Sequence, residues 1–71
     1  MKLRWSVKVG DIVRLHKSTR RNGRFAGLTG LIVEQIVDKA VHPHHEVLVH
    51  ETGELVQLHV TQIGEVINAS R

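Results

Sequence analysis

The sequence has no cysteine, which excludes disulfides, cysteine zinc sites and thiol catalysis together. It has one Trp, one Phe and no Tyr, too few aromatics for a proline-rich peptide groove, a methyl-lysine cage or a base-stacking platform. No apolar run approaches the ~20 residues of a membrane helix, and no apolar stretch follows the basic N-terminus to make a signal peptide. We therefore expect a cytoplasmic protein without a membrane partner.

The chain is also short, with 71 residues, of which 41% are hydrophobic and 24% charged. This composition is that of an ordinary globular protein, and the length allows one hydrophobic core but not two. We expect a single domain over residues 1–71 with its core at about 7–67. A core of this size supplies only a few kcal/mol of stability.

Charge is distributed unevenly along the chain. Residues 1–33 hold eight Lys or Arg against one Asp, whereas residues 34–71 hold two against six Asp or Glu. This change of sign from +7 to −4 has two readings: ordinary solvated faces, or a basic half that meets a polyanion. It also keeps two oligomeric states open, a monomer and a homodimer or larger assembly formed head to tail or along sheet edges.

Hydrophobic periodicity close to two and many β-branched residues indicate strands. The predicted strands are 11–17, 28–37, 45–51, 54–60 and 63–67. We predict a polar loop from Ser18 to Gly27, a short turn at 60–62 and no helix. The connections are too short for parallel crossovers, so the sequence predicts an all-β, five-stranded antiparallel barrel that closes on itself to hide its edges.

The hairpin near the C-terminus allows two registers. A two-residue turn at Thr52-Gly53 pairs Val47 with Leu58, which we favour because it gives a clean apolar face. A type I turn ending with Gly53 in a bulge avoids a β-branched residue at positive φ and shifts the pairing by one residue. The predicted core positions are Ile12, Val13, Leu15, Ile32, Val47, Val49, Val56, Leu58 and Ile63.

Two segments resemble a known family. They are VKVGDIVRL at 7–15 and GRFAGLTGLIVEQI at 23–36. Both resemble the KOW motif of SH3-like barrels, which has a Gly-Asp pair before the first strand and then a basic residue, two spaced glycines and an alternating strand. The matching residues are Gly10-Asp11, Arg24, Gly27, Gly30 and Ile32.

The resemblance extends over about residues 7–67, because the hairpin and the last strand are similar to the third to fifth strands of such barrels. It implies a five-stranded SH3-like barrel whose first long loop helps to contact RNA. The residues themselves support a structural role: Gly10-Asp11 suits a turn in which Asp11 accepts amide hydrogen bonds, and Gly27 and Gly30 suit positive φ or close strand crossing.

The strongest binding candidate is the loop at 16–24, which contains no acid. Its cations are Lys17, Arg20, Arg21 and Arg24. Ser18, Thr19 and Asn22 add neutral donors, and Gly23 lets the backbone approach a phosphate. The alternatives are a loop kept polar for solubility and a contact with an acidic protein.

Phe25 follows this loop and has two readings. It is either a plug at one end of the barrel, which we favour, or, if exposed beside Arg24, the best aromatic for stacking on a base. We therefore place it among the nucleic-acid-binding residues.

Six histidines include the segment His42-Pro43-His44-His45-Glu46, which superficially resembles a metal site. Consecutive residues of a strand point to opposite faces, and no second ligand pair completes the set, so we predict no metal and no cofactor. We interpret the histidines as exposed, with a pH-sensitive surface as the alternative.

Catalysis has no support in the sequence. The three serines lack a nucleophile motif, and no phosphate-binding loop is present. We therefore predict a small non-enzymatic binding module that contacts RNA, DNA or a nucleoprotein complex through the loop at 16–24. The alternative is a protein-interaction or assembly module that docks through a barrel edge.

Overall fold

The computed structural model describes residues 7–36 and 44–69 of the chain. Its strands are β1 (Ile12–Leu15), β2 (Thr29–Ile36), β3 (His44–Val49), β4 (Leu55–His59) and β5 (Ile63–Asn68). One helical turn, α1 (Thr19–Asn22), precedes a 3₁₀ turn at Gly23–Phe25, and a second 3₁₀ turn, Val60–Gln62, joins β4 to β5.

The five strands form one antiparallel sheet in the order β4-β3-β2-β1-β5. The all-β prediction and all five predicted strands are therefore confirmed. The predicted closure is not observed: among the described residues β4 and β5 are opposite edges that do not pair, so the sheet is open. Register shifts in the β2–β3 and β1–β5 pairings mark irregularities of the kind that bend a sheet.

The prediction of no helix was wrong over the first long loop. Ser18 supplies a carbonyl that accepts the amides of Arg21 and Asn22 at 3.1 and 3.0 Å, and this closes one turn. Gly23 then ends the turn with φ of 56°, a conformation that other residues rarely adopt. No helix in the described part of the chain is long and apolar enough to cross a membrane.

The core lies on one side of the sheet and closely matches the predicted set. Its members are Val7, Val13, Leu15, Ile32, Val47, Val49, Leu58 and Ile63. Of the other predicted positions, Val56 packs against this cluster but is only partly buried, and Ile12 is half-buried. Ile12 and Val13 are consecutive in β1, so the pleat points them to opposite faces. Val7 was not predicted, because it precedes the first recognisable strand.

The β3–β4 hairpin has neither predicted register. Val47 pairs with Val56, and His45 pairs with Leu58. The loop contains four residues, 50–53, and Gly53 at φ of 75° donates its amide to the Val49 carbonyl at 2.8 Å. The four-residue loop keeps Thr52 out of positive φ, which a β-branched residue resists. The chain therefore adopts this loop in place of the two-residue turn.

Gly30 and the Gly10-Asp11 turn have the structural roles that the sequence predicts for them. A Cβ built on Gly30 would lie 2.5 Å from Val47 Cγ1 and 3.0 Å from the Leu48 carbonyl oxygen, so the β2–β3 contact requires glycine there. In the turn before β1, Asp11 is buried and accepts the Lys8 amide at 2.9 Å, as predicted for Gly10-Asp11.

Candidate nucleic-acid interface

The predicted binding loop is anchored to the turn between β4 and β5 by two amide side chains. Asn22 is buried and donates to the carbonyls of His16 and Gln62 at 2.7 and 3.0 Å. Gln62 donates in return to the Arg21 carbonyl and to Asn22 Oδ1 at 2.9 and 3.2 Å. The prediction of Asn22 as a phosphate donor is not supported, because its amide group is used inside the protein.

This anchoring presents three of the predicted cations at the surface. Lys17, Arg20 and Arg21 are all exposed. Arg21 donates to the Thr61 carbonyl at 2.9 Å, which adds a third link between α1 and the second 3₁₀ turn. Within residues 7–36 and 44–69, the side chains of Lys17 and Arg20 make no hydrogen bond or ion pair, so both are available to an anion.

Arg24 is separated from this group by a contact with the β3–β4 hairpin. Its guanidinium donates to both carboxylate oxygens of Glu54 at 2.7 and 2.6 Å, which is bidentate geometry. This hydrogen-bonded pairing raises the pKa of Arg24 and lowers that of Glu54. A counter-ion therefore already offsets the charge of Arg24, whereas the sequence had indicated a loop of cations without an acid.

Phe25 also differs from a free stacking platform. Its side chain is partly buried and packs against the core cluster. The Arg24 guanidinium lies over the ring, 4.3 Å from the centroid, so this face has a cation–π partner. This is the geometry of a residue that packs on the core, as in the first of its two predicted roles, although the barrel that this role assumed is not closed.

The structure adds residues that the sequence did not mark as candidates. A shallow open groove of about 340 Å³ is lined by Arg14, Leu15, His16, Lys17, Gly64 and Glu65. Arg14 donates to the Gly27 carbonyl at 3.2 Å and is the cross-strand partner of Glu65. Arg14 lies in β1, outside the loop at 16–24, and the pairing of β1 with β5 brings Gly64 and Glu65 beside it.

The histidine segment divides between the two faces of β3, as the alternation predicts. His44 and His59 are cross-strand partners whose rings meet edge to face at 5.7 Å and 76°. His45 faces the core and is 1% exposed, so the expectation of exposed histidines was wrong for it. In the described part of the chain, no group of three His, Asp or Glu could hold a metal ion; His42 lies outside that part.

Comparison of the chain with protein-family models, with curated proteins and with solved structures returned no match.

Proposed function

We propose that this protein is a small SH3-like barrel of the KOW kind, and that it is a non-enzymatic module that binds the phosphates of RNA, DNA or a nucleoprotein complex. The observation that carries the proposal is the pair of exposed cations, Lys17 and Arg20, that have no partner among the described residues. Arg20 lies in the α1 turn and Lys17 just before it, and Asn22 and Gln62 hold this turn in place.

The fold part of the proposal rests on topology. The strands are short and antiparallel, register shifts of the kind that bend a sheet occur in the β1–β5 and β2–β3 pairings, and one helical turn links β4 to β5. Glycines meet the two conformational needs of the KOW-like segment, positive φ at Gly27 and close strand approach at Gly30. The proposed barrel is a partly open one, because β4 and β5 do not pair with each other among the described residues.

The anchored turn supports phosphate contacts better than base readout. Lys and Arg bind phosphate oxygens through charge and hydrogen bonds, and such contacts carry no sequence information directly. Phe25 is the one Phe, Trp or Tyr among the described residues, and it packs on the core with Arg24 over one face, so no such ring is presented for stacking. We therefore expect little sequence preference and dissociation constants of roughly 10⁻⁴ to 10⁻⁶ M at physiological salt.

Salt dependence of binding measures how many cations take part. With Lys17, Arg20 and Arg21 engaged and Arg24 held by Glu54, log K should fall against log salt with a slope of about −2 to −3. Fluorescence anisotropy with a labelled single-stranded RNA and a labelled DNA duplex, over a salt series, gives this slope. A slope near zero at low salt contradicts the proposal.

A pair of charge reversals locates the contact. Arg20→Glu should weaken binding at least tenfold and leave the melting temperature nearly unchanged, because the exposed Arg20 side chain makes no hydrogen bond or ion pair with a described residue. Lys8→Glu is the matched control: it makes the same change in net charge at an exposed residue before β1, whereas Arg20 lies beyond the other end of that strand. Equal losses in the two variants would indicate a non-localised charge effect and contradict the assignment of the contact to the loop at 16–24.

A further inference from the structure

The two edges of the open sheet differ in how well they resist pairing with another strand. Natural edge strands are protected by charged residues, proline, bulges or a covering segment. On one edge, β5 contains Gly64 and Glu65 and has two register shifts against β1. On the other, β4 has the sequence LVQLH, without proline, glycine or a Lys, Arg, Asp or Glu, and it pairs with β3 without a register shift. Among the described residues, β4 has no strand on its outer side.

The ladder identifies the free backbone groups of β4. Val49 donates its amide to the Glu54 carbonyl at 2.8 Å, and hydrogen-bonded and non-hydrogen-bonded pairs alternate in an antiparallel ladder. Val56 and Leu58 therefore direct their backbone groups to β3, and the alternate residues direct theirs outward. Of these, His59 donates its amide to Gln62 Oε1 at 2.9 Å, so the outward amides that remain are those of Leu55 and Gln57.

We propose that β4 pairs antiparallel with β4 of a second copy of this chain, around a twofold axis that passes beside Val56. In this register Leu55 faces Gln57 of the second copy and exchanges two hydrogen bonds with it, and the symmetric pair does the same. Every free amide of the strand then has an acceptor. Centring the axis on Gln57 instead would require the His59 amide that Gln62 already occupies.

The side chains fit this register. Val56 meets Val56 of the second copy on the core side of the sheet, where it is already partly buried. On the outer face, cross-strand partners form an aliphatic row of Ile12, Leu31, Leu48 and Leu55 that ends at this edge. Leu55 is 55% exposed and lies diagonal to Leu55 of the second copy, so pairing brings the two rows together.

Charge and size determine the strength of this association. Each copy has a formal charge of +3, and β4 meets its symmetry mate without placing two formal charges opposite each other at neutral pH. A contact of one five-residue strand per copy is small compared with the ~1,200 Å² or more of stable complexes. We therefore expect a weak dimer in a concentration-dependent equilibrium, and it does not depend on nucleic-acid binding.

Sedimentation velocity over a protein concentration series tests the dimer. The wild-type sedimentation coefficient should rise with concentration, and Leu55→Lys should abolish this rise by placing a charge on the free edge. Ile67→Lys is the matched control, because Ile67 is 46% exposed on the other edge strand, and this variant should still dimerise. Gln57→Pro is a second test: it removes an outward amide and leaves the β3 ladder intact, so it should give a folded monomer.

Amide exchange identifies the edge directly. Protection of the Leu55 and Gln57 amides should increase with protein concentration in the wild type and should be absent in Leu55→Lys. The proposal is overturned if the wild type stays monomeric at every concentration, or if Ile67→Lys is the variant that dissociates the dimer. It is also overturned if both amides are protected at high dilution, since another segment of the same chain then covers β4.

Discussion

At the scale of single residues, His45 is the one residue of the described structure whose side chain has buried polar atoms without a hydrogen-bond partner. Its ring is 1% exposed, and neither ring nitrogen has a hydrogen-bond partner among the described residues. Across the sheet it faces Leu58 and Gln35. Burial lowers the pKa of His45, and the nearby His44 and His59 lower it further; the Val7 backbone is close enough to oppose the shift, although its geometry does not make a hydrogen bond.

This environment predicts acid-sensitive stability. The pKa of His45 in the unfolded chain is about 6.5, and its pKa in the folded protein is lower, so the unfolded state binds the proton more readily. The free energy of unfolding should be highest above pH 6.5 and should fall as the pH drops toward the folded-state pKa. One proton contributes a slope of at most about 1.4 kcal/mol per pH unit.

Urea unfolding of His45→Leu across this pH range tests the assignment. The variant should lose most of the slope between neutral and mildly acidic pH, because leucine cannot be protonated and leaves no unpaired nitrogen. His50→Gln, a substitution at an exposed histidine in the hairpin loop, should keep the wild-type slope. An unchanged slope in His45→Leu would show that another group causes the acid sensitivity.

The sequence contained the signal for this burial. His45 precedes Val47 and Val49 with the spacing of two that places residues on one face of a strand, and both valines were predicted in the core. A histidine is usually exposed or hydrogen-bonded, and this general tendency led to the wrong expectation.

At the scale of elements, the α1 turn depends on side chains that are distant in sequence. Asn22 and Gln62 are 40 residues apart, and their amides satisfy the backbone carbonyls of both turns. The His16 amide also donates to the Gln62 carbonyl at 2.9 Å. Short turns have little intrinsic stability, so these contacts hold the cations in position.

Removing the Asn22 amide should destabilise the protein. Asn22→Ala leaves the His16 and Gln62 carbonyls without this donor in a largely buried position, which costs about 1–3 kcal/mol. Thr19→Ala, in the same turn but exposed, should change the free energy of unfolding by less than about 0.5 kcal/mol. Chemical denaturation of both variants makes the comparison, and equal effects would mean that the Asn22 contacts do not stabilise the turn.

Nucleic-acid affinity gives a second measure of the same element. If the turn must be ordered to present Lys17 and Arg20, Asn22→Ala should weaken binding although it removes no charge. Unchanged affinity with reduced stability would show that the cations act without a fixed arrangement.

At the scale of the whole molecule, the core is small and each of its members contributes a large share of the stability. Eight buried apolar residues form a single cluster in the described structure. Leu58→Ala should lower the free energy of unfolding by about 2–5 kcal/mol, a large part of what a chain of this length has. Val66→Ala is the control, because Val66 is 39% exposed on β5, and it should cost well under half as much. Thermal and urea unfolding compare the two variants, and similar losses would contradict the assignment of the core.

The charge asymmetry of the sequence is partly compensated in three dimensions. The Arg24–Glu54 pair joins the basic loop to the acidic hairpin across 30 residues. Both side chains are well exposed, so this ion pair contributes little to stability, and its main effect is to remove one cation from the proposed binding surface. The distribution of charge along the sequence therefore overstated the positive charge that is available to a partner.

The sequence by itself determined the strands, the antiparallel arrangement and most of the core, because alternation with a period of two and short connections are local properties of the chain. Tertiary structure alone decided which cations are free, since the partners of Arg24 and Arg21 are 30 and 40 residues away. It also decided the hairpin register and the open edge at β4. Both features depend on turn conformation and on strand pairing. Registers that differ by one residue have similar local sequence preferences, so the packing of the whole sheet decides between them.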